Sequence, residues 1–343
     1  MGTMTLTTAL QIAAGESVPF TAQLGFPGGR GVCEHSAMAG GTDNWPVVDL
    51  ADLLEVLDLA EVAPGRFRAR NVTSTLPTTL GSQTLAQAVV AAERMVPHMT
   101  VQSLHGVFPR GGDADREVEV DVEVVQSGRA LATVQVSFRQ DGREHARVLA
   151  MLSVDEPDFL AHHAALPPEV PGPEDCADLP CALLPWEVRT PGGADALALD
   201  LAGPPSLDVW MRCDKAPDLP VVSRALLAHG SEGFLGPVAL RPYPQSEIVQ
   251  RGGRGKSAML TQTVTFHRPF TVHDWLLLRC ESPFAGAGRM YSRIQIFTRA
   301  GELVASADAQ GLMRAHGYPS NALHSTGGAT HGSIHPRHGF MNS

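Results

Sequence analysis

The side chains with the clearest chemical capacity lie in one short run, His229-Gly230-Ser231-Glu232, closing an apolar helical stretch that begins near Val221. Residues three apart share a helix face, and a His–carboxylate pair there would tune proton transfer near neutrality. A core-packed His229 is an equal reading. Glu232 reads either as a general base or water-positioning carboxylate, or as an acid solvated or paired with Arg241 or Arg224. Ser231 suits a hydrogen bond at a helix end better than a nucleophile. Gly81-Ser82-Gln83 opens a second helix, whose free N–H groups could hold a developing oxyanion or simply be capped. Cys33-Glu34-His35-Ser36 mimics a nucleophile–base cluster, but adjacency in sequence does not create catalytic geometry. Cys176 and Cys181 form a C-x4-C with no second pair, and His316, His324, His331, His335 and His338 repeat no ligand spacing, so no metal site is expected. RGGRGK at 251–256 lacks the full phosphate-loop pattern and reads as a mobile loop.

The elements that must position these groups belong to a chain of 343 residues, 43% hydrophobic and 18% charged. That suffices for one large or two ordinary domains with a real core. A net charge of −10 argues against a nucleic-acid partner. No apolar run approaches the roughly 18 residues of a membrane span. The first twenty residues lack the basic segment and long apolar stretch of a secretion signal. The five cysteines are odd in number and scattered. A reducing cytoplasm is the expected location.

Residues 1–46 read as an irregular arm. Val47–Ala60 places Leu50, Leu53, Leu54 and Leu57 on one helical face, and Leu80–Met95 is a helix of small, apolar residues. Strands follow with no helix between them: 116–125, where Val118, Val120, Val122 and Val124 alternate with polar residues, then 130–138 and 145–154. An Asp-Gly turn joins the last two. This is an α+β pattern. Ten prolines between 156 and 206 mark a linker laid over a surface. A helix over 221–228 and strands at 258–269, 274–281, 289–299 and 302–313 then repeat the scheme. Landmarks recur at nearly constant offset: Phe108-x-Arg110 with Phe266-x-Arg268, Gly128-Arg129 with Gly288-Arg289, and Phe138 and Gly142 with Phe297 and Gly301. One unit is written twice. The expected organisation is arm 1–46, first unit 47–155, linker 156–206, second unit 207–315 and a His/Gly-rich tail 316–343.

Gly-Ser-Gln at 81–83, SLHGVFPRGGD at 103–113 and QSGRALATVQVSFRQDGR at 126–143 resemble the first half of acyl-CoA thioesterase II. VWMR (209–212), FHRPF (266–270), HDWLLL (273–278), GELVAS (301–306) and QGLMR (310–314) resemble its second half. The resemblance implies a double hotdog: two helix-plus-antiparallel-sheet units forming one continuous sheet, often with homo-oligomerisation. It also implies three polar groups that activate water, an Asp near the end of the second helix with a Thr and a Gln on adjacent strands. Here the acid falls at Glu232, one methylene longer. The Thr position falls at Met259 and the Gln position at Ala309. Gln310 is the strand neighbour of Ala309 and should face the other way. The candidate catalytic residues are therefore Glu232, His229 and Ser231, with Gly81, Gln83, Met259, Ala309 and Gln310 around the substrate.

The resemblance implies a thioester hydrolase acting on a small-molecule acyl-CoA or on a chain bound to an acyl carrier protein. Coenzyme A or phosphopantetheine would enter as part of the substrate, with no separate cofactor. The other reading is a non-hydrolytic enzyme of natural-product biosynthesis, catalysing dehydration, isomerisation or cyclisation with Glu232 and His229 as acid and base. Met259 and Ala309 favour it by making the pocket drier. A silent acyl-binding protein is the third.

Overall fold

The computed structural model describes residues 48–74, 76–166, 169–179, 185–193, 202–250 and 254–315. The arm, the whole of the expected tail, Cys181 and Arg251–Gly253 lie outside them. In chain order the elements are α1 (Leu50–Val56), β1 (Ala60–Ala63), β2 (Arg66–Ala69), α2 (Gly81–Met95), β3 (Thr100–Val107), β4 (Val118–Ser127), β5 (Leu131–Gln140) and β6 (Arg143–Ser153). Then come β7 (Ala177–Asp178), β8 (Glu187–Thr190), β9 (Ser206–Arg212), α3 (Pro220–Leu240), α4 (Gln245–Gln250), β10 (Arg254–Phe266), β11 (Leu276–Gly286), β12 (Arg289–Thr298) and β13 (Leu303–Ala315).

The strands form one 13-stranded sheet, ordered β1-β2-β4-β5-β6-β3-β10-β13-β12-β11-β9-β8-β7, with antiparallel pairing throughout. Read outward from its centre, each half repeats the same order. This is the double hotdog that the duplicated landmarks require. The halves join where β3 pairs with β10, and His105 lies opposite Thr263. Those two residues are 158 apart, the offset of Phe108 and Phe266, so the pseudo-twofold axis passes between them. His105 Nδ1 and Thr263 Oγ1 lie 3.0 Å apart.

Period-2 alternation decides which sheet face is covered. Ala132, Val134, Val136 and Phe138 of β5 and Ala146, Val148, Ala150 and Leu152 of β6 are buried under α2. Each fully buried large side chain contributes about 1.5–3 kcal/mol. Helix α2 is Ala-rich and buried from Ser82 to Ala92. It packs against α3 on the same sheet face. Both hairpin turns at Asp141-Gly142 and Ala287-Gly288 need two residues at positive φ, 49° and 71° in the first, 51° and 71° in the second. The Asp-Gly signal marks the first.

Two expectations about element limits change. The helix expected to close at Glu232 runs on to Leu240 through Gly233, Gly236 and Pro237. Glu232 therefore sits mid-helix. Burial of Phe234, Leu235 and Val238 outweighs the weak local propensity. Gly230 lets the helix lie close, since a Cβ there would stand 3.0 Å from Met211 Cε and 3.2 Å from the Trp186 ring. The proline-rich stretch is also more than a connector: β7 and β8 extend the sheet beyond β9, and Trp186 and Val188 are buried.

Candidate active site

The site begins where the start of α2 meets the middle of α3. Ser82 is the second residue of α2, so its N–H has no partner within its own helix. That N–H donates to Glu232 Oε2 at 2.5 Å. The Ser82 hydroxyl also bonds the carboxylate. Burial pushes the Glu232 carboxyl above the usual glutamate value, against the pull of the two Ser82 bonds. The residue keeps some accessible surface, yet the carboxylate has no cationic partner among the described residues. Arg224 pairs with Glu93 through two contacts of 2.8 Å, and Arg241 Nε donates to the Pro204 carbonyl.

The expected His229–Glu232 pair does not form. His229 is 1% exposed, and both ring nitrogens lack a partner. Desolvation lowers its pKa to about 4, so it is neutral at pH 7. Ser231 is fully buried; its hydroxyl donates to the Ala228 carbonyl at 3.0 Å and accepts from Gln262 Nε2 at 2.9 Å. With its proton committed to a carbonyl and no base at its oxygen, Ser231 is a tether, not a nucleophile.

The flanking strands complete the surroundings. Gly81 lies against the Phe108 ring, 3.3 Å from where a Cβ would be. Gly106 on β3 faces Leu85 and the same ring, and pairs with Gln262 on β10. Gln262 in turn pairs with Ala309 on β13. Two surface grooves on the second half, one beside Phe270 and one beside Arg279, are lined by none of these residues. Among the described residues no group of three His, Cys, Asp or Glu is placed to hold a metal ion. Nor is any helix there long and apolar enough to cross a membrane.

The sequence pattern of the acyl-CoA thioesterase N-terminal domain matches residues 72–153, and that of the C-terminal domain matches 161–313. Acyl-CoA thioesterase 2 of Haemophilus influenzae is 29% identical over 290 residues, covering 77% of this chain and 98% of its own length. Acyl-coenzyme A thioesterase 8 of Mus musculus is 28% identical, covering 78% of this chain and 90% of its own. The crystal structure of an acyl-CoA thioesterase II from Mycobacterium marinum superposes with a TM-score of 0.66 at 30% identity, covering 77% of this chain and 99% of that one. The chain belongs to the acyl-CoA thioesterase family.

Within this thioesterase fold the remaining candidates separate. Ala309 is fully buried between Gln262 and Ser292. Gln310 is exposed on the opposite face, as alternation requires. Met259 lies partly buried against the core, beside a register shift between Met259 and Thr261. Gln83 is not available to a substrate: its Oε1 accepts from Val72 N–H at 2.9 Å and its Nε2 donates to Asn71 Oδ1 at 2.9 Å. A buried amide with both ends engaged is part of the framework. Cys33–Ser36 and the tail histidines from His316 onward lie outside the described residues. The sequence reading passed over Gln262, whose signal is a polar residue at an inward position of β10, between the small and apolar partners Gly106 and Ala309.

Proposed function

We propose that this thioesterase-family chain hydrolyses an acyl-CoA, with Glu232 as the group that directs water onto the thioester carbonyl. The observation that carries this reading is the carboxylate itself, set between two helices, held only by Ser82 and raised in pKa by burial. A carboxylate less hydrated than usual is a stronger base, and one whose pKa approaches the working pH transfers protons best. Water adds to the carbonyl carbon as Glu232 takes its proton. The C–S bond then breaks, and the thiolate recovers the proton as free coenzyme A. The reaction needs no resident cofactor, and the acyl chain on a carrier protein is the alternative substrate. We read the working form as a cytoplasmic homo-oligomer; Leu149 and Met151, 49% and 47% exposed on the open sheet face, suit contact with a second copy.

The test is release of free thiol from a panel of acyl-CoAs of differing chain length. Hydrolysis that falls about a hundredfold in Glu232→Gln, the usual range for general acid–base groups, supports the reading. Silence across the panel would move the protein to the non-hydrolytic class, which the apolar Met259 and Ala309 favour.

A further inference from the structure

We infer that Gln262 is a second water-positioning group of the site and that its amide oxygen, paired with the Glu232 carboxylate, orients the attacking water. This rests on the reading of Glu232 given above.

Gln262 is fully buried and donates from Nε2 to Ser231 Oγ, on the residue just before Glu232. Its Oε1 has no hydrogen-bond partner among the described residues. The orientation of the amide follows from its neighbour. Ser231 donates its only proton to the Ala228 carbonyl, so its oxygen is free only to accept, and the Gln262 NH2 must face it. The carbonyl then points away from Ser231 with nothing to bond. A buried polar atom left unpaired weighs against folding. An apolar side chain of similar volume, such as methionine, would avoid that cost.

The contacts around Gln262 lead back to the acid. Glu232 accepts from Ser82. Gly81, next to Ser82, lies against the Phe108 ring, and the same ring lies 3.1 Å from where a Gly106 Cβ would sit. Gly106 is the cross-strand partner of Gln262, and Gln262 returns through Ser231 to Glu232. The missing Cβ atoms at 81 and 106 let the Phe108 ring, and Leu85 beside Gly106, pack directly on the backbone here.

Two acceptors are what a nucleophilic water needs. A water molecule has two O–H donors. Given one to Glu232 and one to Gln262, it keeps both lone pairs for the carbonyl carbon. On attack Glu232 takes its proton, while the O–H bonded to Gln262 stays on the new tetrahedral carbon. Ala309, the position at which the resemblance called for an amide, is the direct cross-strand neighbour of Gln262. Neighbouring strand positions on one face have Cβ atoms about 5 Å apart, less than the reach of a glutamine side chain. The amide function is therefore supplied from the adjacent strand.

The test uses whichever acyl-CoA the panel shows to be turned over. Gln262→Ala should lower kcat ten- to a hundredfold with KM changed less than threefold. In that background Ala309→Gln should restore kcat at least tenfold, because it moves the amide one strand across. Gln262→Met fills the same volume without a carbonyl and guards against a folding failure of the alanine variant; it should lose kcat while melting at or above the parent temperature. Wild-type kcat in Gln262→Met, alongside collapse in Glu232→Gln, would overturn the role of Gln262 and leave that of Glu232 standing. Wild-type kcat in Glu232→Gln would remove both.

Discussion

Glu93 and Glu232 are each the thirteenth residue of their helix, α2 and α3. Their surroundings predict opposite responses to the same change. Glu93 forms a two-point ion pair with Arg224, each side chain 13% exposed, and Glu93 Oε1 also accepts from Val101 N–H at 3.0 Å. In Glu93→Gln the guanidinium keeps its burial and loses its counter-charge. Removing one partner of a buried pair costs about 3–5 kcal/mol, and the residual exposure places this pair near the lower end. At about 2–4 °C per kcal/mol, the melting temperature should fall by about 6–12 °C. Glu232 is instead a carboxylate that burial holds above its usual pKa. Its neutral form is the one the fold favours, so that contribution is complete at acid pH and lost as pH rises through the shifted value. Glu232→Gln keeps an oxygen for Ser82 N–H and removes the charge. Its melting temperature at pH 7.5 should equal or exceed the parent's, with the difference vanishing below about pH 4. Paired thermal melts and thiol-release assays on both variants decide the matter: Glu93→Gln unstable with kcat unchanged, Glu232→Gln stable with kcat lost. Equal loss of stability in both would refute the reasoning and make Glu232 an ordinary structural acid.

His229 should give the protein an acid-labile step. Its folded pKa of about 4 against an ordinary 6.5 means that stability is full above pH 6.5 and is lost as pH falls toward 4, about 3 kcal/mol over the window. Urea unfolding at pH 7.5 and 4.5 should show this difference in the parent and a smaller one in His229→Gln. Gln83→Leu leaves the Val72 N–H unpaired and takes from the Asn71 carbonyl one of its two donors, the Thr79 hydroxyl remaining. It should cost about 2 kcal/mol or more in a denaturant melt while KM stays at the parent value.

How much of this was legible in the sequence depended on how local each signal was. The strands announced themselves because Val118, Val120 and Val122 alternate with polar residues, and the doubled sheet followed from landmarks repeated at a fixed offset. The reach of α3 was not legible. Gly230, Gly233, Gly236 and Pro237 are breakers by local rule, and only packing against Met211, Trp186 and the sheet keeps them helical. The strands β7 and β8 were hidden among prolines for the same reason. The proposed acid was read from a motif that stays on one helix at one spacing. The proposed amide has no such local motif. A position transferred along one strand landed on Ala309, whereas a sheet is two-dimensional, and Gln262 stands beside Ala309 on the next strand.

On the function proposed above, the same geometry accounts for one such site in the duplicated fold and not two. Counting along each helix, Leu85 corresponds to Arg224 and Ser82 to Val221. At Glu93 an arginine reaches the carboxylate, and α3 opens on Pro220-Val221 with no hydroxyl at its second position. At Glu232, a leucine occupies the arginine's place and a serine holds the carboxylate by N–H and hydroxyl. An unpaired buried carboxylate weighs against folding, because its charge loses water without gaining a counter-ion. Two would double that burden in a fold whose net stability is only about 5–15 kcal/mol. Pairing Glu93 with Arg224 satisfies one copy fully, and what remains unsatisfied is concentrated at Glu232 and Gln262. A group whose needs the fold already meets has nothing left with which to hold a water molecule, and these two retain that capacity.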